Sequence, residues 1–324
     1  MTIRVIKPGA LSTLQDLGRV GYQRYGVIVD GAMDEWAHRL ANLLVGNPET
    51  EATLEITLIG PRLAFEATAV IAICGADLSP HIGDREVPME RPVVLRPGNV
   101  LEFGRRRAGC RAYLAVRGGY DVAPVMGSKS TYLRGGFGGY QGRALRAGDV
   151  VGIGAAKSGD GALFAAPSPP WPSRAIATAG RQPPIRVVEG AQWPLFSDDA
   201  QRAFANTEFK LTPHSDRMGY RLEGTKLVLR DPIEMISEGV SFGTIQVPPD
   251  GNAIILMADC QTTGGYPKIA QVASVDLPVL AQMMPGQTMR FELISLDVAQ
   301  RLYLDREREF RRIRESTAQC SRES

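Results

Sequence analysis

The chain is poor in the residues that most readily signal chemistry. Its 324 residues include four cysteines, Cys74, Cys110, Cys260 and Cys320, with no C-x-x-C spacing and no density that would make a disulfide scaffold. That usage fits a reduced, cytoplasmic setting. The three histidines, His38, His81 and His214, lie far apart, and neither they nor the cysteines have metal-ligand spacing, so no zinc site is expected. No window approaches the ~18 uncharged apolar residues of a membrane span. The first residues, Met1 to Gly9, lack the apolar core and small-residue cleavage site of a signal peptide. A formal charge of +2 is small for this length and argues against a nucleic-acid partner. A soluble protein with no membrane partner is expected.

What is present is turn chemistry around an adequate core. Apolar residues make up 44% of the chain, and 35 glycines and 22 prolines point to many turns and short strands rather than long helices. The length favours two domains over one. Strands are predicted at 3–6, 53–58, 62–65, 70–74, 93–95, 100–103, 111–116 and 149–153, with a helix at 34–45 whose apolar face ends at Gly46 and Pro48. Residues 157–184 carry Ser-Gly-Asp-Gly, Pro-Ser-Pro-Pro-Trp-Pro and Gln-Pro-Pro without periodicity, and read as a linker. A second β-rich half follows, with strands at 185–189, 209–212, 226–229, 243–247, 253–258 and 288–293 and a helix near 197–205. Ser295 can cap a last, charged helix at 296–314, before a frayed tail.

The halves echo one another. Ile3-Arg4-Val5-Ile6 returns as Ile185-Arg186-Val187-Val188, and Arg19-Val20-Gly21-Tyr22 as Arg217-Met218-Gly219-Tyr220. Thr53-Leu54-Glu55-Ile56 returns as Thr244-Ile245-Gln246-Val247, and Pro97-Gly98 before 99–103 as Pro285-Gly286 before 287–291. Four pairs in the same order point to a duplicated β-domain, sandwich or barrel, with boundaries at 1–156, 185–295 and a helical tail at 296–324.

The richest candidate site is 259–267, Asp-Cys-Gln-Thr-Thr-Gly-Gly-Tyr-Pro, entered from the apolar run 253–257. Side chains that hydrogen-bond sit there beside glycines that let a ligand approach the backbone. With it belong Ser215, Asp216, Arg217, Glu238 and Gln246 from the second half. The first half offers Gln15, Asp16, Arg19, Asp34, Asn42, Asn47, Glu55, Ser128, Ser130 and Arg134, for most of which capping or turn roles compete. Such an inventory suits a small polar amide or carboxylate ligand: arginine supplies a fork, Gln and Thr read a C=O and N–H pair, and carboxylates accept protons or hold magnesium. Two motifs fail. Gly127-Ser128-Lys129-Ser130 lacks the earlier phosphate-loop glycine, since position 122 is Val. In His214-Ser215-Asp216, adjacent residues cannot easily face one another as a relay requires.

Gly31-Ala32-Met33-Asp34, Ala41-Asn42-Leu43-Leu44-Val45-Gly46-Asn47, Gly127-Ser128-Lys129-Ser130-Thr131, Ser215-Asp216-Arg217-Met218-Gly219 and Gln261-Thr262-Thr263-Gly264-Gly265-Tyr266-Pro267 together resemble the biotin-dependent carboxyltransferase (allophanate hydrolase subunit 2) family. The resemblance runs over about 3–295. It implies a mostly β fold of two tandem cyclophilin-like β-barrel domains with a few short helices. For function it implies the C-type subunit of an ATP-dependent 5-oxoprolinase, a hydrolase inactive alone. Its implied partners are two companion subunits, one KipI-like (B-type) and one of LamB/YcsF type (A-type). ATP with Mg2+ is then expected in the assembled complex. One alternative is a carboxyltransferase component using biotin on a partner chain, as in urea carboxylase; this chain has no Met-Lys-Met biotinyl segment. Another is a KipA-like regulatory protein that binds a KipI-like kinase inhibitor. On this reading Asp259, Arg217 and Glu238 are the candidate catalytic residues. Ser215, Asp216, Gln246, Gln261, Thr262, Thr263, Gly264, Gly265, Tyr266, Ser128 and Ser130 are the candidate substrate contacts, and no metal ligands are assigned.

Overall fold

The computed structural model describes residues 1–155 and 183–320, so the linker expected at 157–184 lies almost wholly outside the described residues. The fold is mostly β, as the density of turn residues implied. It divides into two compact units, the first built from 1–19, 34–155 and 308–320, the second from 20–33 and 183–307.

The first unit has two sheets. One runs in the order Val150–Gly152, Thr2–Lys7, Arg62–Phe65, Val100–Phe103, Pro80–Ile82, Arg85–Glu86; the other runs Leu11–Gln15, Thr53–Thr57, Ala108–Val116, Ala69–Asp77, Val93–Leu95. Alternating residues such as Ile3, Val5, Leu54, Ile56, Leu63, Phe65, Ile71 and Leu114 form its core. Helix α1, Glu35–Leu44, packs on the second sheet. It begins where expected because Asp34 caps it, Oδ1 accepting from the Ala37 N–H at 2.9 Å.

The second unit is built on an eight-stranded sheet, ordered Thr288–Met289, Phe209–Leu211, Gly219–Glu223, Ile254–Leu256, Thr244–Gln246, Lys268–Val272, Ile185–Glu189, Phe291–Leu293. Its two end strands are separated in the chain by Arg290 alone, so the sheet all but closes on itself. Helix α2, Asp198–Asn206, is capped by Ser197 and sets Phe204 against Phe291, rings stacked at 4.6 Å. Met33, carried in by the segment 20–33, joins this core.

A short helix α3, Leu277–Ala281, precedes the final helix α4, Leu296–Cys320. At 25 residues α4 runs past the expected end at 314. Residues 315–320 contain neither Gly nor Pro to stop it. Within the first unit its Phe310 is buried against Trp36 at 4.4 Å and under the Arg39 guanidinium at 3.7 Å. Among the described residues no helix is long and apolar enough to cross a membrane.

Candidate functional site

The site is assembled in the second unit, around the entry to the polar loop. Arg217 is buried, and its Nε donates to both oxygens of Asp259 at 3.1 Å. Its Nη2 donates to Asp259 Oδ1 at 2.7 Å, to Asp30 Oδ1 at 3.0 Å and to the Gly31 carbonyl at 2.6 Å. Both carboxylates are buried as well. The backbone adds to the link, since the Asp259 N–H donates to Arg217 O at 2.8 Å. Asp30 and Gly31 both have left-handed backbones, φ 62° and 102°, and this kink presents a carboxylate and a carbonyl to the same nitrogen. Planar guanidinium is the group suited to such a fork. Asp30 escaped the sequence analysis; the Asp-Gly dipeptide signalled only a turn.

Beyond this clamp the loop doubles back as a small ribbon. Thr263–Gly264 pairs antiparallel with Glu238–Gly239, and the Val240 N–H donates to Thr262 O at 3.1 Å. Gln246 is buried beneath it and its Nε2 donates to Tyr266 O at 3.4 Å. A Cβ at position 264 would fall 2.5 Å from that Nε2, so the ribbon lies this close only because Gly264 has none. Gln261 and Thr262 are half-buried, while Thr263, Gly265 and Tyr266 are exposed. Cys260 is no nucleophile: burial first, and the Asp259 charge second, push its thiol up to about 12.

The loop ends at Lys268, a residue the sequence analysis passed over. Its side chain is only 12% exposed and is ion-paired with Glu238, which is 52% exposed. The Lys268 N–H donates to Gln192 Oε1 at 3.1 Å. The hydrogen bond from Lys268, more than its charge, holds the Glu238 carboxyl below its ordinary range. Lysine following a Thr-Gly-Gly-Tyr-Pro loop is a signal that sequence could have supplied.

The remaining expected site residues do other work. Ser215 Oγ accepts from the Arg221 N–H at 3.0 Å, and Asp216 Oδ1 accepts from the Met218 N–H at 2.8 Å, so both tie down the turn that carries Arg217. Ser128 and Ser130 belong to the first unit, buried, each hydroxyl donating to Asp16 Oδ1 at 2.7 and 2.6 Å. Asp16 Oδ2 accepts from the Lys129 N–H at 2.6 Å, and Lys129 Nζ donates to Glu51 at 2.6 Å. The family resemblance implies ATP with Mg2+, and these residues do not fit a triphosphate. The donors of the Gly-Ser-Lys-Ser loop already hold an internal anion, and a phosphate there would face the Asp16 carboxylate. Asn47 and Glu55 are likewise engaged, with the Val116 carbonyl and the Tyr113 hydroxyl.

The first unit also keeps two shifted titratable groups. Burial pulls His38 down to about 4, its ring hydrogen-bonded to Thr53 Oγ1 at 2.8 Å. Burial, helped by the Asp34 charge, pushes Glu90 up to about 7, on a left-handed backbone with φ 55°.

Comparison with known proteins shows the family. Residues 25–293 match the family "Carboxyltransferase domain, subdomain A and B". The chain is 38% identical to the C-type subunit of 5-oxoprolinase from Haemophilus influenzae, over 93% of this chain and 94% of that protein. It is also 38% identical to the C-type subunit of 5-oxoprolinase from Escherichia coli, over 96% and 97%. Among solved structures it is similar to the urea amidolyase of K. lactis, with a TM-score of 0.87 and 33% identity over 96% of this chain. There it spans only 20% of the longer protein. The chain belongs to the carboxyltransferase family of subdomains A and B.

Proposed function

We propose that this chain is the C-type subunit of an ATP-dependent 5-oxoprolinase, opening 5-oxo-L-proline to L-glutamate in the cytoplasm. Its companions in this reading are a KipI-like (B-type) protein and a LamB/YcsF-type (A-type) protein. The observation that carries this reading is the end-to-end likeness to two proteins named as that 5-oxoprolinase component. The urea amidolyase match covers only a fraction of that protein.

In this reading the Arg217–Asp259–Asp30 clamp positions the loop, because Nε and Nη2 of Arg217 are committed to Asp259, Asp30 and the Gly31 carbonyl. Gln261, Thr262 and Thr263 then offer the amide and hydroxyl groups that read a lactam C=O and N–H. Nucleotide binding falls to the companion chains, since the hydroxyls and Lys129 of the Gly-Ser-Lys-Ser loop are committed to Asp16 and Glu51. The test is reconstitution: glutamate forms from 5-oxoproline and ATP only when all three proteins are mixed. Undiminished turnover without this chain rejects the assignment.

A second reading, a carboxyl-transfer component using biotin on a partner chain, draws on the structural likeness to urea amidolyase. Copurification of a biotinylated protein with this chain would select it.

A further inference from the structure

Lys268 and Glu238 form an unequal pair. The ammonium is mounted at the start of a central strand, Lys268–Val272, directly across from the buried Gln246, and its side chain is 12% exposed. The carboxylate is mounted on a two-residue strand, is 52% exposed, and follows a segment, 231–239, that is exposed almost throughout. Lysines are seldom this buried without a partner, whereas a surface glutamate needs none. The fixed, desolvated half of the pair is therefore the cation, and the replaceable half is the anion.

The backbone of the same residue is held as well, the Lys268 N–H donating to Gln192 Oε1 at 3.1 Å, so the ammonium is carried on a fixed strand start. That ammonium is directed at the Glu238 carboxylate. That carboxylate lies one strand pair from Thr263 and Gly264, with Glu238 opposite Gly264 and Gly239 opposite Thr263. Opposed residues in an antiparallel ribbon stand about 5 Å apart. The Lys268–Glu238 pair and the lactam-reading loop are within reach of one small molecule.

Resting on the 5-oxoprolinase reading, we infer that Lys268 is the anchor for the carboxylate of a small cyclic amide, and that Glu238 occupies this anchor until the substrate displaces it. Displacement requires a side-chain rotation of Glu238 into solvent and leaves the Gln246–Gly264 packing intact. The exchange conserves charge, one carboxylate replacing another at the same ammonium. It also selects substrate: a lactam without a carboxylate cannot dislodge Glu238.

The test uses the full chain and three variants, Lys268→Met, Lys268→Arg and Glu238→Gln. Titrated alone with 5-oxo-L-proline and followed by calorimetry or NMR, Glu238→Gln binds at least 3-fold more tightly than wild type. Lys268→Met binds at least 10-fold more weakly, and Lys268→Arg recovers part of the loss. 2-Pyrrolidinone, which lacks the carboxylate, is indifferent to all three changes. In the reconstituted complex, Lys268→Met raises KM for 5-oxoproline at least 10-fold with kcat within 3-fold. The gain in Glu238→Gln cannot come from misfolding, so equal or weaker binding by that variant overturns the inference, as does a Lys268→Met variant that binds like wild type. Tight, Lys268-dependent carboxylate binding without turnover in the complex would instead uphold the anchor and reject the 5-oxoprolinase assignment.

Discussion

Replacing Arg217 by Met tests the clamp most directly. The change removes every donor that Arg217 directs at Asp259, Asp30 and the Gly31 carbonyl, and leaves two buried carboxylates. Breaking a buried pair from one side costs about 3–5 kcal/mol, because the surviving charge stays desolvated. At about 2–4 °C per kcal/mol for a domain of this size, the melting temperature of the second unit falls by about 6–20 °C. Asp259→Asn keeps the shape and an acceptor and should cost less, about 1–3 kcal/mol. The double variant should be less destabilised than the sum of the singles, with a coupling of about 1–3 kcal/mol. Hydrogen exchange at the amides of Met257 and Asp259, which donate to Met218 O and Arg217 O, reports on the clamp locally. Misplacing the loop should lower turnover of the assembled complex on the order of 100-fold, with partial recovery in Arg217→Lys. An Arg217→Met variant within 1 kcal/mol of wild type, roughly a few-fold in the unfolding constant, would refute the argument that buried charge dictates this clamp.

Further predictions concern the first unit. Burial holds His38 near 4 against an ordinary 6.5, so the unfolded chain takes up a proton in that window and the folded chain does not. Stability is therefore lost as pH falls from 6.5 to 4, by about 3 kcal/mol from this group, and urea titrations of His38→Gln should show that part of the acid limb flattened. Glu90 has the opposite sign. Its carboxyl is raised to about 7, so its contribution is present at low pH and lost as pH rises from about 4.5 through 7. Glu90→Gln should melt above wild type at pH 8 and level with it near pH 4; an equal offset at both ends contradicts the assignment. Ser130→Ala should destabilise the first unit by about 1–3 kcal/mol by stripping a donor from buried Asp16, while ATP affinity of the assembled complex stays within 2-fold. A larger loss of ATP affinity would restore the phosphate-loop reading of 127–130.

The parts legible in sequence were those decided within a few residues. Asp34 before an apolar stripe announced α1, Ser197 announced α2, and runs of β-formers between Gly, Pro and Asp announced many of the strands, though not Leu11–Gln15, Gly219–Glu223 or Lys268–Val272, while the strand expected at 226–229 does not form. What escaped was decided at long range. Ser128 and Ser130 have the hydroxyls a ligand loop needs, and only the approach of Asp16, 112 and 114 positions away, commits them. Arg217 and Asp259 were candidates from sequence, yet Asp30 could not be joined to them, being 187 positions from Arg217. Lys268 drew no notice because its burial depends on the strand opposite, and strand pairing is not written in residues 266–270.

The placement of Ile185–Glu189 bears on how the protein is made. Val187 is bonded on one side to the strand holding Val272 and on the other, in parallel, to the strand holding Leu293. On a translating ribosome the first strand of the second unit therefore waits, with one edge open, until the last strand has emerged. The segment 20–33 waits longer still for Arg217. Such non-local closure is slow and leaves unpaired strand edges exposed meanwhile. Synthesis thus passes through a stage in which most of the chain is out and the sheet is still unsealed. Chains truncated just before Phe291 should accumulate at that stage, bound by chaperones, while chains extended past Leu293 are released folded.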